Sequence, residues 1–171
     1  MYSNHRPPLD LSHLADDLRL TVELRSVAAS ARRRATRDGD QQIDTAHLLH
    51  SLLEIDPTAR AACDAGTGRV DRVLGYLVQR SIGYGLRWRG SVEDSGALPV
   101  VQPAHATGWS PSAGAALRNA VTLARRRGRP QADGIDLLDA LAADPACRAV
   151  EVLRAAGLDV SGFRDDGPVA S

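Results

Sequence analysis

Apolar positions recur in the same order twice along the chain. The stretch from Leu20 to Asp56 lies over the stretch from Trp109 to Pro145 without a gap, so that Thr21 meets Ser110 and Asp44 meets Asp133. Each copy opens on a hydroxyl residue suited to cap a helix, Thr21 or Ser110, and the second copy adds Pro111 at the first helical position, where a missing N–H costs nothing. Leu24, Ala28, Ala31 and Ala35 then fall on one helix face, as do Ala113, Leu117, Ala120 and Ala124. Gly39 and Gly128 end the two helices, because glycine accepts the left-handed conformation of a C-terminal cap.

Asp44 and Asp133 each start a second helix, with buried pairs at Leu48, Leu49, Leu52 and Leu53 or at Leu137, Leu138, Leu141 and Ala142. A third helix is expected from Asp56-Pro57 to about Gly66 and from Asp144-Pro145 to about Gly157. The first copy continues into a fourth, with Val70, Val73, Leu74, Leu77 and Val78 at helical spacing. The second copy ends in a stretch rich in glycine and aspartate that cannot match it.

Ahead of the repeats, Leu11, Leu14 and Leu18 predict an extra helix over Asp10 to Arg19, which we expect to cover the surface left by the missing fourth helix. Between the repeats, residues 82–108 carry glycine and proline without a sustained period and read as a long surface loop, with Leu98 to Val101 as a brief strand candidate. The expected organisation is an N-terminal extension (1–19), a first repeat (20–81), a linker (82–108), a second repeat (109–160) and a tail (161–171). The fold class is all-α, with two pseudosymmetric helical repeats packed as one bundle.

Composition narrows the function. Of 171 residues, 43% are hydrophobic and only 4% aromatic, a balance that favours close helix packing over a β-sandwich. Formal net charge is zero, so no global field selects nucleic acid or an anionic membrane. All 21 basic residues are arginine. A phosphate-binding loop of the G-x-x-x-x-G-K-[ST] type needs lysine, so the chain holds none and no ATP-dependent chemistry is expected of it. No apolar run reaches signal-peptide or membrane-spanning length, which predicts a cytoplasmic protein.

Candidate chemistry is sparse. Cys63 and Cys147 lack C-x-x-C spacing and read as free buried thiols. His47 and His50 are one turn apart, but nothing in the sequence completes a metal site with them, and no metal or other cofactor is expected. Ser51 near His47 and Asp44 has no nucleophile elbow, so no catalytic residue is assigned. Arg32, Arg33, Arg34 and Arg37 are mirrored by Arg125, Arg126, Arg127 and Arg129. Helix dipoles favour such placement, and a paired anion surface for nucleic acid is the less favoured functional alternative.

Two segments carry a resemblance. WSPSAGAALRNAVTLARRRGRPQADGIDLLDALAADPACRAVEVLRAAGLDV in the second copy, and LTVELRSVAASARRRATRDGDQQIDTAHLLHSLLE in the first, resemble the Clp ATPase N-terminal (Clp repeat) domain of ClpC and ClpA type. The order of an aromatic-Thr-Pro-like start, a glycine turn and a TEH-like helix agrees across roughly residues 20–160. The resemblance implies a pseudo-twofold bundle of two repeats, here as a stand-alone module without AAA+ domains. It implies binding of protein or peptide, including Clp ATPase or protease components and their substrates, as an adaptor, decoy or regulator of a Clp protease system.

It also implies sites. Some relatives hold phosphoarginine through the hydroxyl at the first helix start, here Thr21 or Ser110, and a glutamate whose places are taken here by Ala46 and Ile135. Those two side chains cannot accept the hydrogen bonds of a guanidinium. The resemblance further implies a groove between the paired first helices, with Leu20 and Trp109 at corresponding positions and Arg25 one turn on. Trp109 is either a hydrophobic staple on its own helix or a face of that groove. A hydrophobic small molecule or cyclic peptide in the groove is the alternative ligand.

Overall fold

The computed structural model describes residues 14–81, 92–94 and 108–164. The N-terminal extension contributes α1 (Leu14–Asp17), and the first repeat contains α2 (Val22–Asp38), β1 (Gln42–Ile43), α3 (Thr45–Ile55), α4 (Pro57–Asp64) and α5 (Val70–Ser81). The second contains β2 (Gly108–Trp109), α6 (Pro111–Arg126), α7 (Gly134–Ala142), α8 (Arg148–Ala155) and a 3-10 turn at Val160–Arg164. The chain is all-α in architecture, its strand content among the described residues being two short pairings.

The caps form as their chemistry requires. Thr21 Oγ1 accepts from Leu24 N at 3.2 Å and Ser110 Oγ from Ala113 N at 3.0 Å, so each hydroxyl satisfies an amide that has no partner inside its helix. Gly39 closes α2 at φ 70°, where a side chain would be strained. Asp44 and Asp133 build matching capping boxes with His47 and Asp136. Asp56 accepts from Thr58 N and Ala59 N and starts α4.

The central pair, α3 and α7, is buried nearly all round, consistent with leucine on successive turns rather than on a single stripe. The alanine stripes of α2 and α6 lie against them, and small side chains allow these helix axes to approach closely. Each fully buried leucine in this core contributes about 1.5–3 kcal/mol of transfer free energy.

A pseudo-twofold relation joins the halves. β1 pairs with β2 in parallel, Ile43 opposite Trp109, and the mate of that pairing is the bridge of Leu20 with Ala132. Ser110 N donates to Ile43 O and Thr21 N to Ala132 O, both at 2.9 Å. Likewise α4 packs on α7 and α8 packs on α3. The halves are therefore interlocked: each repeat's first helix is entered through a strand pairing with the other repeat.

One helix start differs from the sequence expectation. In the second copy the third helix starts at Arg148 rather than at Pro145: the Asp144 carboxylate accepts from Ala146 N at 3.1 Å, but Cys147 N goes to the Asp144 carbonyl at 3.2 Å and closes a turn, where the matching Ala59 N bonds the Asp56 carboxylate. Cys147 then stands at the cap position of α8 with no side-chain hydrogen bond to it. The place of a fourth helix in this copy is taken by the 3-10 turn, which packs on α7 and α8. Of the extra N-terminal helix the turn Leu14–Asp17 is described; it packs on α2, with Leu14 and Leu18 partly buried against the core. The strand candidate at Leu98 to Val101 lies outside the described residues. No helix among the described residues is long and apolar enough to cross a membrane.

Candidate functional site

The polar centre of the molecule sits where the starts of α3, α6 and α8 converge between the repeats. Its key side chain is Glu93, from the segment 92–94 that belongs to neither repeat. Glu93 is only 5% exposed, whereas its neighbour Val92 is 64% exposed, so the carboxylate enters from the surface. Glu93 Oε1 accepts from Thr45 N at 2.9 Å and from Ser110 Oγ at 2.8 Å. Oε2 accepts from Arg148 N at 2.7 Å and from Thr45 Oγ1. Glu93 N in turn donates to Gln42 Oε1 at 3.2 Å.

Glu93 thereby caps α8 from a distance, supplying the carboxylate that Cys147 lacks. Thr45 continues the network, its hydroxyl accepting from Ala149 N at 2.9 Å. Beside it opens a shallow pocket lined in part by Thr45, Ser112, Ala116, Asn119, Ala140 and Cys147.

A second buried carboxylate, Asp44, ties the repeats by charge. Asp44 Oδ2 accepts from Arg148 Nη1 at 2.9 Å and from Arg80 Nη2, which joins α8 of one repeat to α5 of the other. Burial would raise the Asp44 pKa, but the hydrogen bonds and charge of His47, with the charge of Arg80, outweigh it and hold the carboxyl far below its ordinary range. His47 accepts from Asp44 N through Nδ1 at 3.0 Å and meets Asp40 Oδ2 through Nε2 at 2.7 Å. Burial would lower the His47 pKa, and the Asp40 and Asp44 carboxylates reverse that and raise it.

The two histidines do not converge on one site: His50 Nε2 faces Glu54 Oε1 at 3.0 Å. Asp38, Asp40 and His47 do bring ligand atoms within 4.8 Å of one another, but Arg80 Nη2 lies 3.8 Å from Asp40 and supplies the positive charge there. Ser51 is hydrogen-bonded to Ser30 and Arg34, away from His47.

Of the residues singled out from the sequence, Ser110 belongs to the Glu93 network. Leu20 and Trp109 are side by side with the opposite repeat in the strand pairings, and both are buried, with Arg32 5.7 Å above the Trp109 ring. Thr21 is partly exposed and caps α2, and Arg25 is exposed, its guanidinium donating to Leu18 O at 3.1 Å. Ala46 is fully buried and Ile135 partly so. The arginine clusters are divided by ion pairs: Arg34 holds Glu54, while Arg127 and Arg129 hold Asp136 and Asp139 or Asp133. Sequence reasoning missed Glu93, whose only local signal was an acidic pair within an unpatterned linker.

Two repeats interlocked through reciprocal strand pairings around α3 and α7 define a Clp N-terminal-like bundle. Among solved structures, the chain is similar to the N-terminal domain of the ClpV1 ATPase from the Sci1 T6SS of E. coli EAEC, at TM-score 0.59 and 19% identity, covering 88% of this chain and 83% of that one. It is also similar to a chain from structural work on a malarial protein secretion system, at TM-score 0.60 and 13% identity, covering 85% of this chain and 89% of that one. At such identities the likeness is one of fold. No protein-family model matches the chain, and no curated protein matches it in sequence.

Proposed function

We propose that this chain is a non-catalytic module of the cytoplasm that recognises protein or peptide, serving a Clp-type unfoldase or protease as adaptor, decoy or regulator. The observation that carries this reading is the interlocked double repeat, similar over most of its length to the N-terminal domain of a Clp ATPase. Without lysine the described machinery offers no phosphate-binding loop, so the energy for any unfolding comes from elsewhere. A recognition surface is at hand where α2 begins: Val22 is 78% exposed and Arg25 lies exposed one turn on. The alternative of a small hydrophobic ligand against Leu20 and Trp109 requires both side chains to leave the core, which makes protein recognition the better reading.

The test is capture by the immobilised chain, with mass spectrometry asking for Clp ATPase or protease subunits and their clients. Enrichment lost on the double change Val22→Asp and Arg25→Glu, with helix content unchanged, is the expected result. Absence of such components across several salt and nucleotide conditions contradicts it.

A further inference from the structure

The Glu93 carboxylate reaches its place from a segment far from its partners in sequence, and it is met there by two peptide N–H groups and two hydroxyls. The corresponding place in the first repeat is filled differently. There Asp56, the residue just before α4, caps that helix and presses against Gly134 at the start of α7. One copy thus has a built-in carboxylate, and the other receives its carboxylate from outside both repeats.

We propose that this junction is a carboxylate-recognition site held shut in cis by Glu93, and that an acidic side chain presented by a protein partner takes its place. The donors define the chemistry. Thr45 N and Ser110 Oγ serve one oxygen, Arg148 N and Thr45 Oγ1 the other, a set matched to two oxygens. The four donors that meet Glu93, two amides and two hydroxyls, are neutral groups, which suit a carboxylate better than a phosphate dianion. The adjoining pocket is small, and Asn119 and Asp144 line it together with Ala115, Ala116 and Ala140, so what enters beside the carboxylate is no larger than about a water molecule. Glu93 competes from within the same chain, at the high effective concentration of a tethered ligand, and so sets a threshold that a partner must exceed.

This inference rests on the protein-recognition reading for its biological partner, but the pocket is testable alone. The probe is a fluorescein-labelled, amidated peptide of sequence GSVEDS, copying residues 90–95. By anisotropy on the full chain, Glu93→Ala is expected to bind it about tenfold or more tightly than the unaltered chain does, since the tethered competitor is gone. Binding is expected to fall by a similar factor when the peptide carries glutamine for its first acidic residue, or when Ser110→Ala is added.

Equal binding by the altered and unaltered chains, or by the glutamate and glutamine peptides, overturns the proposal. Competition by inorganic phosphate as strong as by acetate overturns the carboxylate preference. Should Glu93→Ala not fold, Glu93→Gln is used. In addition, the Thr45 and Arg148 amide resonances of the unaltered chain are expected to shift with excess peptide, and unmoved resonances overturn the site. Peptide binding without capture of Clp components sinks the partner assignment and leaves the pocket standing. Capture of those components with no peptide binding does the reverse.

Discussion

The carboxylate of Asp56 occupies the space that a side chain on Gly134 would need: a Cβ built at Gly134 lies 1.9 Å from Asp56 Oδ2 and 3.0 Å from Leu52 Cδ1. The residue with no side chain at the start of α7 thus lets the cap of α4 in the other repeat come into contact. Across the pseudo-twofold axis Thr45 stands in the place of Gly134, and its hydroxyl serves Glu93 and Ala149 instead. The asymmetry of the junction is therefore encoded in a pair of residues, Thr45 against Gly134.

Gly134→Ala is expected to destabilise the protein by about 1–3 kcal/mol, the cost of overpacking a filled site and displacing a helix cap, less a small gain in helix propensity. Urea unfolding measures it. In a double-mutant cycle Asp56→Ala should absorb most of the penalty, because the clash disappears with the carboxylate. Strict additivity of the two changes would show that they do not touch.

Stability should peak near neutral pH. The His50 pKa is lowered to about 4, first by burial and then by the charge of Arg34, so the folded state favours the neutral ring. Its contribution is present above the unfolded value near 6.5 and is lost as pH falls from there towards 4. Asp44 and Asp136, both lowered, add stability that is present above about pH 3.9 and vanishes under stronger acid. His47 acts in the opposite sense: its raised pKa contributes fully below about 6.5 and is lost as pH rises through the folded value. Chemical denaturation from pH 4 to 8 checks this, and His50→Gln should flatten the limb between 6.5 and 4.

Both thiols should be inert in the native protein. Burial pushes Cys63 up to about 11, with Asp64 adding to it. Burial pushes Cys147 up to about 12; the Val150 amide draws it back and the Glu93 charge raises it further. With Ellman's reagent at pH 8, reaction is expected to be slower by at least about a hundredfold than in denaturant, because thiolate and access are both withheld. Rapid native reaction at either site would contradict the packing around it.

Most of the fold was legible wherever a local rule was obeyed. Thr21, Asp44, Asp56, Ser110 and Asp133 announce their helices because each cap bonds to amides two or three residues on, within the reach of a sequence pattern. The same rule misleads at Asp144-Pro145, where the Asp144 carbonyl closes a turn and the true start of α8 is capped by Glu93, 55 residues away. The strand pairings escaped notice because two residues are too short to show alternation, and their partners are distant in the chain. At the candidate site Ser110 was legible as a cap but not as a donor to Glu93, and the burial of Leu20 and Trp109 follows from pairings that no spacing reveals.

Hydrogen exchange at Thr21 and Ser110 tests most directly the claim that the two repeats form one interlocked bundle. Their amides donate across the junction in mutually inverted bonds to Ala132 and Ile43. The account predicts that both exchange only through global unfolding, with protection free energies within about 1 kcal/mol of each other and of the whole-protein stability. Fast exchange at one amide while the other stays protected would mean that the halves open independently, and the interlocked junction would be refuted.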